Sequence, residues 1–378
     1  MTRQSKAHVV ATASASPGSY HPQDKLAETI CAYLRANELR FPEDSVRGLF
    51  KNVNIDGRYF QFPASDFDDP PGMEHVGARG IEAGVNWCET NVTRLFEQSG
   101  LAPADISLLV SVTLMPAVPT IEARLMNRIP FRRDVKRMPL AGLGCMAGVA
   151  ALNRATEYLD GHPDQAAIVM SCELSSALWQ GSVQADLAGM INKLAEQPEL
   201  HTEVVMAIVT AALFGDGSGA ALLVGREHPL AEGNSLQILD CQSNWVPDTE
   251  HIMGLDLLDS GFRNILRNEV KSFVGVGVRQ VLQPLLDRYR MSSTDVGHWL
   301  IHPGGPKIMD AVERTFDLPA HHMQFSRDTL RQIGNVSSAT ILHMLDETFK
   351  ANRPVEGTPG LLVAMGPGFS QESALLQW

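Results

Sequence analysis

At 378 residues the chain is longer than one hydrophobic core normally supports, which predicts two domains or two fused halves. Hydrophobic residues make up 44% and charged residues 20%, a balance that excludes a disordered chain. A net charge of −12 excludes whole-molecule attraction to nucleic acid or to an anionic membrane surface, since both need a basic field.

Met1 to Ser19 lacks the apolar core of a signal peptide, and the longest apolar stretch, Val204 to Phe214, is too short to cross a bilayer. A cytoplasmic location without membrane insertion is therefore expected. An amphipathic helix is predicted over Ile81 to Gln98, followed by Ala104-Asp105-Ile106 and an apolar strand, Leu108 to Val112. Arg124, Arg128, Arg132, Arg133, Lys136 and Arg137 form the densest basic patch, read as a solvated face, with docking of an acidic partner as the alternative. Gly144-Cys145-Met146-Ala147-Gly148 then opens a helix, Val149 to Leu159, whose Ala- and Leu-rich composition marks it as buried.

Leu187, Met190, Ile191 and Leu194 lie at helical spacing, Pro198 breaks the pattern, and Glu203 to Phe214 reads as a second apolar helix. Part of this stretch, near residues 186–205, is read as an insertion. Gly215-Asp216-Gly217-Ser218-Gly219 lacks the lysine and following helix of a phosphate loop, and is expected to be a tight turn before the strand Ala220 to Val224.

From here the elements recur. A helix over Glu269 to Tyr289 precedes Thr294-Asp295-Val296 and the strand Trp299 to Ile301. Gly334-Asn335-Val336-Ser337-Ser338 opens a buried helix, Thr340 to Phe349, and Gly366-Pro367-Gly368 precedes the strand Ala374 to Leu376. Asp295 follows Asp105, and Gly334 follows Gly144, by the same interval of 190 residues (295 − 105 and 334 − 144). Two matches in register predict an internal duplication, with residues 1–228 as the first half and 229–378 as the second. Strands alternating with helices, plus a buried central helix in each copy, predict an α/β fold of five layers, αβαβα.

Cys145 stands at a helix start, where unpaired N–H groups and the helix dipole favour a thiolate; a buried structural cysteine is the bland alternative. Asn335 stands at the corresponding position of the second copy. His302, in Ile301-His302-Pro303-Gly304-Gly305, ends a strand just before a forced turn, which presents its imidazole to a cleft. A cysteine and a histidine can form a thiolate–imidazolium pair for acyl transfer, and the Asn335 and His302 N–H groups can serve a developing oxyanion. Hydrolysis and condensation both remain open on these residues alone. The five cysteines, Cys31, Cys88, Cys145, Cys172 and Cys241, are odd in number and irregularly spaced, so free thiols are expected. No histidine has a partner at ligand spacing, and no metal site is expected.

These motifs together resemble the type III polyketide synthases, the chalcone and stilbene synthase superfamily. The resemblance runs over about residues 8 to 378. It rests on the Cys145 and Asn335 segments, Leu213-Phe214-Gly215-Asp216-Gly217, Trp299 to Pro306, and Gly366-Pro367-Gly368 with Glu372. It implies a thiolase-like fold and a homodimer that takes malonyl-CoA and an acyl-CoA starter without a carrier protein, cofactor or metal. Cys145 would hold the acyl chain, while His302 and Asn335 promote decarboxylation. Phe214 and Phe262 match the pair of aromatic gate residues, and Thr113, Leu114, Ser175, Leu178, Gly254 and Ser337 match positions lining the cavity. Leu114 and Leu178 would make that pocket more apolar than in plant enzymes. Arg47 and Lys51 align with the family's basic CoA-binding residues, with Gly304 and Gly305 alongside. The C-terminal motifs also look like bacterial synthases that make dihydroxyphenylacetyl-CoA from malonyl-CoA alone. A carrier-dependent ketosynthase is the second reading, and a noncatalytic partner subunit the third.

Overall fold

The computed structural model describes residues 5–62, 73–115, 117–176, 187–233, 235–258, 261–267 and 269–378. Its main sheet has nine strands: β1 (Ala7–Ala15), β4 (Ile106–Val112), β5 (Lys136–Leu140), β6 (Ala166–Leu174), β7 (Asp216–Gly225), β8 (Leu236–Trp245), β11 (His298–Ile301), β12 (Pro359–Gly366) and β13 (Ser370–Gln377). Two small antiparallel sheets pair β2 (Ser19–Pro22) with β3 (Gly57–Phe60) and β9 (Met253–Leu258) with β10 (Gly261–Leu266).

Across the large sheet the order is β11-β12-β13-β8-β1-β7-β6-β4-β5. Both flanks read outward from the central β1–β8 pair in the same sense. β1 and β8 each take an antiparallel neighbour, β7 and β13. These in turn pair antiparallel with β6 and β12, which pair parallel with β4 and β11. The entry to the parallel strand is also built twice: Asp105 Oδ2 accepts from the Ala102 N–H at 2.8 Å, and Asp295 Oδ2 from the Ser292 N–H at 2.7 Å.

Alternation along the strands sorts side chains into layers. Val110, Val112, Ala167, Val169, Ala221 and Leu223 of one flank, with Leu300, Leu362, Ala374 and Leu376 of the other, close on two central helices, α5 (Ala147–Asp160) and α10 (Ala339–Lys350). The opposite face of the first flank, including Leu109, Ile168, Met170 and Leu222, packs on Val85, Val92 and Leu95 of α3 (Met73–Ser99). A register shift between Ile106 and Leu108 turns Ile106 to this outer side with Leu109. The opposite face of the second flank, with Trp299, Ile301, Val363 and Leu375, packs on Val274, Val278 and Val281 of α7 (Val270–Tyr289), beside α8 (Pro306–Phe316). The result is the five-layered αβαβα arrangement.

One expectation is corrected. Residues 216–219 are not a turn but the start of β7. Their glycines serve close approach: a Cβ on Gly219 would lie 2.6 Å from Leu342 Cβ, and one on Gly217 3.2 Å from Val336. The same logic fixes Gly148 of α5, where a Cβ would fall 2.2 Å from the Ser338 carbonyl oxygen. Shorter helices include α1 (Gln23–Ala36), α2 (Glu43–Asn52), α4 (Ile121–Leu125), α6 (His201–Leu213) and α9 (Gln324–Ile333). All five cysteines are free thiols. Among the described residues no helix is long and apolar enough to cross a membrane, and no cluster of metal-ligating side chains occurs.

Candidate active site

Cys145 sits in a single 3₁₀ turn, Gly144–Met146, that runs straight into α5. Gly144 has φ 53°, and a Cβ there would meet Pro367 at 2.7 Å; one on Gly366 would meet the Leu143 carbonyl at 2.3 Å. The cysteine turn of one half is thus pressed against the β12–β13 turn of the other, and only glycine permits that distance.

Asn335 follows Gly334, whose φ is 71°. Its N–H donates to the Leu213 carbonyl at 2.9 Å, and its carbonyl accepts from the Gly215 N–H at 3.0 Å, so it is clamped alongside Phe214. Asn335 Oδ1 accepts from the Ser337 N–H at 2.8 Å. With the amide oxygen occupied, the NH₂ group is the one left to act as a donor. Ser337 occupies the left-handed region at φ 51°, a conformation a non-glycine residue holds only when its surroundings fix it.

His302 follows β11, and its N–H donates to the Val363 carbonyl at 2.8 Å. The side chain is 2% exposed, and neither ring nitrogen has a hydrogen-bond partner among the described residues. These three side chains line one cavity of about 530 Å³. Leu114, Phe214, Gly254, Gly304, Gly305 and Ser337 line it too. Thr113 and Ser175 do not: Thr113 Oγ1 accepts from the Met115 N–H at 3.1 Å, and Ser175 is fully buried. Leu178 and the Phe262 side chain lie outside the described residues. Arg47 and Lys51 are absent from the wall, and Arg47 is engaged with Glu28 at 2.6 Å and Glu43 at 3.0 Å.

The electrostatics of the site invert the ion pair expected from sequence. Burial pushes the Cys145 thiol up to about 11, despite the lowering effect of Ser337 and Asn335, and burial pulls His302 down to about 4. Desolvation outweighs the helix start, because both charged forms lose water when the site closes over them. At neutral pH the resting pair is therefore thiol and neutral imidazole.

Sequence reasoning missed two buried ionisable groups here. Glu173, at the end of β6, accepts from the Leu114 N–H at 2.9 Å and from the Ser338 hydroxyl, and burial raises its carboxyl to about 7. Its charge adds to what holds the Cys145 thiol protonated. Arg58, 1% exposed, donates to the carbonyls of Ala211 at 2.7 Å and Phe214 at 2.5 Å, and to Gln23 Oε1 at 3.2 Å. It ties down the end of α6, and with it Phe214. The legible signal was a lone charge in an otherwise apolar or aromatic strand: Glu173 in Ala166–Leu174, Arg58 in Gly57–Phe60.

One wall of the cavity is helix α6, whose last residue, Leu213, accepts from the Asn335 N–H. His201, Thr202, Val205, Met206, Val209 and Leu213 face the cavity, while Val204, Ile208 and Ala212 face the core. From Val204 onward the helix is apolar apart from the buried Thr210, because both of its sides are covered there. The stretch read as an insertion therefore delivers residues to the cavity wall.

Residues 237–378 match the family model for chalcone and stilbene synthases, C-terminal domain, and residues 61–189 match that for FAE1/type III polyketide synthase-like proteins. The chain is 33% identical over 334 residues to a 1,3,6,8-tetrahydroxynaphthalene synthase of Streptomyces peucetius subsp. caesius, covering 88% of this chain and 83% of that one. It belongs to the type III polyketide synthases. This synthase is also 32% identical to a putative chalcone synthase of Bacillus subtilis, over 89% of each chain. Its fold matches the crystal structure of the tetrahydroxynaphthalene synthase of Streptomyces coelicolor A3(2), with a TM-score of 0.86, 25% identity, and coverage of 98% and 99%. As a member of this family the synthase is an acyltransferase of the condensing type.

Proposed function

We propose that this synthase condenses malonyl-CoA units onto an acyl group held on Cys145 and then closes the chain into a polyhydroxylated aromatic ring, as the names of its tetrahydroxynaphthalene-forming relatives suggest. The observation that carries the assignment of roles is the convergence of Cys145, from one half, with His302 and Asn335, from the other, on a single cavity. Residues 1–228 and 229–378 are then the two contributing halves.

Loading begins with proton transfer from the Cys145 thiol to His302. The sulfur attacks the thioester carbonyl, the bond to CoA sulfur breaks, and His302 returns the proton to the departing CoA thiolate. Neither group is charged at rest, so the proton moves to His302 as the sulfur attacks the bound thioester rather than beforehand. In the extension step a malonyl-CoA loses CO₂, and the electron pair left behind forms an enolate. The His302 N–H and the Asn335 amide donate to its oxygen. A histidine held near 4 suits this role, because a neutral imidazole can donate without surrendering its proton. The enolate carbon attacks the Cys145 thioester, a C–C bond forms, and the Cys145 thiolate leaves, ready to be loaded again. Phe214, anchored through Arg58 and Asn335, limits water at the enolate.

On this reading the synthase works as a cytoplasmic homodimer on CoA thioesters, with no carrier protein and no cofactor. The test is incubation of purified protein with malonyl-CoA, with and without a panel of acyl-CoA starters, followed by product analysis and mass spectrometry of the Cys145 peptide. An acyl mass on that peptide and a cyclised polyketide are expected. Activity only on carrier-bound malonate would sink the reading in favour of a carrier-dependent ketosynthase.

A further inference from the structure

The last carbonyls of a helix have no partner within it, and at a surface water takes them. At the end of α6, beside the cavity, the carbonyls of residues 211–214 are each taken by a donor from elsewhere in the fold. Arg58 Nη1 donates to the Ala211 carbonyl at 2.7 Å and to the Phe214 carbonyl at 2.5 Å. Gln23 Nε2 donates to the Ala212 carbonyl at 2.9 Å, and the Asn335 N–H to that of Leu213 at 2.9 Å. Gln23 Oε1 in turn accepts from Arg58 Nε at 3.2 Å, so these two side chains act as one unit. A cation at this end of a helix also has the favourable sign for its dipole.

Arg58 reaches the Asn335 segment as well. A Cβ on Gly334 would lie 2.7 Å from Arg58 Cγ and 2.8 Å from its Cδ, so the arginine stem rests on the residue that precedes Asn335. A Cβ on Gly215, the residue after Phe214, would lie 3.3 Å from Arg58 Cβ. The side chain therefore stands against both sides of the Phe214–Asn335 bridge. Its three acceptors are uncharged, it is 1% exposed, and it stays cationic at neutral pH although burial lowers it to about 9. The rings of Phe50 and Phe60 lie 5.9 and 5.2 Å from its guanidinium carbon. Burying a cation is costly, and what an arginine supplies in return is geometry. Its planar guanidinium fixes the two Nη1 bonds relative to the Nε bond, which a lysine ammonium cannot do.

Resting on the function proposed above, we propose that Arg58 is a positioning residue for chain extension: by holding Phe214 and Asn335 in one clamp, it couples each loss of CO₂ to formation of a carbon–carbon bond. Phe214 and Asn335 govern the two fates of the enolate. Its carbon either attacks the Cys145 thioester and expels the thiolate, or takes a proton from water and leaves as acetyl-CoA. Asn335 holds the enolate oxygen and so aims the carbon, while Phe214 limits water. Loosening both together favours the second fate at the expense of the first.

The test uses the whole protein as wild type, Arg58→Met, Arg58→Lys and Gln23→Ala, with two readouts. Hydrogen exchange followed by mass spectrometry reads the clamp without turnover. Peptides covering residues 211–216 and 333–338 should both exchange faster in Arg58→Met, and peptides from α5 should not change. The ratio of acetyl-CoA to condensed product formed from malonyl-CoA reads the coupling, and it does not depend on how much of a sample is folded. It should rise about ten-fold in Arg58→Met, inside the roughly 10²-fold that misplacement by about 1 Å can cost, and by less in the other two variants. The proposal is overturned if the ratio stays at the wild-type value while both rates fall together, as partial unfolding would give, or if only one of the two peptides loosens. If Arg58→Met does not fold, Arg58→Lys and Gln23→Ala decide by the same two readings. A wild type that condenses nothing would count against the proposed function, and the exchange readings would still judge the clamp.

Discussion

The turns into the two central helices make an instructive pair. Gly144 and Gly334 both adopt positive φ, 53° and 71°, directly before the side chain that faces the cavity. Beyond that point the backbones diverge. Cys145 is already within a 3₁₀ turn that continues as α5, whereas Asn335 is extended, bridged to Phe214, and α10 starts only at Ala339. A thiol at a helix start keeps the freedom to rotate toward a carbonyl. An amide gripped through its own N–H, C=O and Oδ1 has none, which is what an oxyanion donor requires, since its benefit comes from being fixed before charge develops. On the proposed roles, the local backbone suits one of these two corresponding positions to attack and the other to hold.

Breaking the attacking side should have the largest effect. Cys145→Ala is expected to abolish acyl-enzyme formation while leaving some malonyl-CoA decarboxylation, measured as intact-protein mass and CO₂ release; undiminished loading would remove Cys145 as the nucleophile. On the holding side, Asn335→Ala should slow decarboxylation by about 10²–10³-fold, the usual cost of one oxyanion donor, with a smaller effect on loading. Equal losses in both half-reactions would argue that Asn335 only supports the fold. The contact between the two helix starts can be tested with Gly148→Ala, which drives a methyl toward the Ser338 carbonyl. Denaturant unfolding should show a loss of about 3 kcal/mol or more, and a neutral result would mean the helices can separate.

A finer test concerns Glu173, which lies between the halves by bonding to Ser338 from β6. Its folded pKa of about 7 lies above the ordinary carboxylate value of 4.5, so the folded protein keeps a proton that the unfolded chain gives up. The stability this contributes is complete below about 4.5 and is lost as the pH rises through about 7. Glu173→Gln cannot titrate. The wild type should therefore lose stability relative to the variant between pH 4.5 and 7, by on the order of 3 kcal/mol, in paired urea titrations. A pH-independent difference would show that the carboxyl is ionised throughout.

The interval of 190 residues was enough to expect the doubled architecture, because a repeated unit imposes a repeated fold: the Asp105 and Asp295 clasps recur at the same interval. The three reacting side chains were legible for a related reason, as each follows a glycine or precedes a Pro-Gly-Gly turn that leaves a mark in the chain. Glu173 and Arg58 were not singled out because a buried charge depends on partners remote in sequence, Ser338 and Phe214 among them. The glycines at 217 and 219 misled for the same cause. In sequence a glycine cluster signals a turn, but here it marks where a strand meets a helix more than a hundred residues away.

The sequence by itself determined the two central helices, the helices and strands that lead into them and their doubling, and picked out the groups proposed to react, since periodicity and turn chemistry are local properties. Only the tertiary structure decided how those groups are charged and which cations stand together. Burial inverted the expected Cys145–His302 ion pair, ion pairs to Glu28 and Glu43 occupied Arg47, and packing of α7 beside α8 brought Lys271 and Lys307 together. Desolvation and charge proximity are properties of surroundings, and the surroundings exist only once the chain has folded.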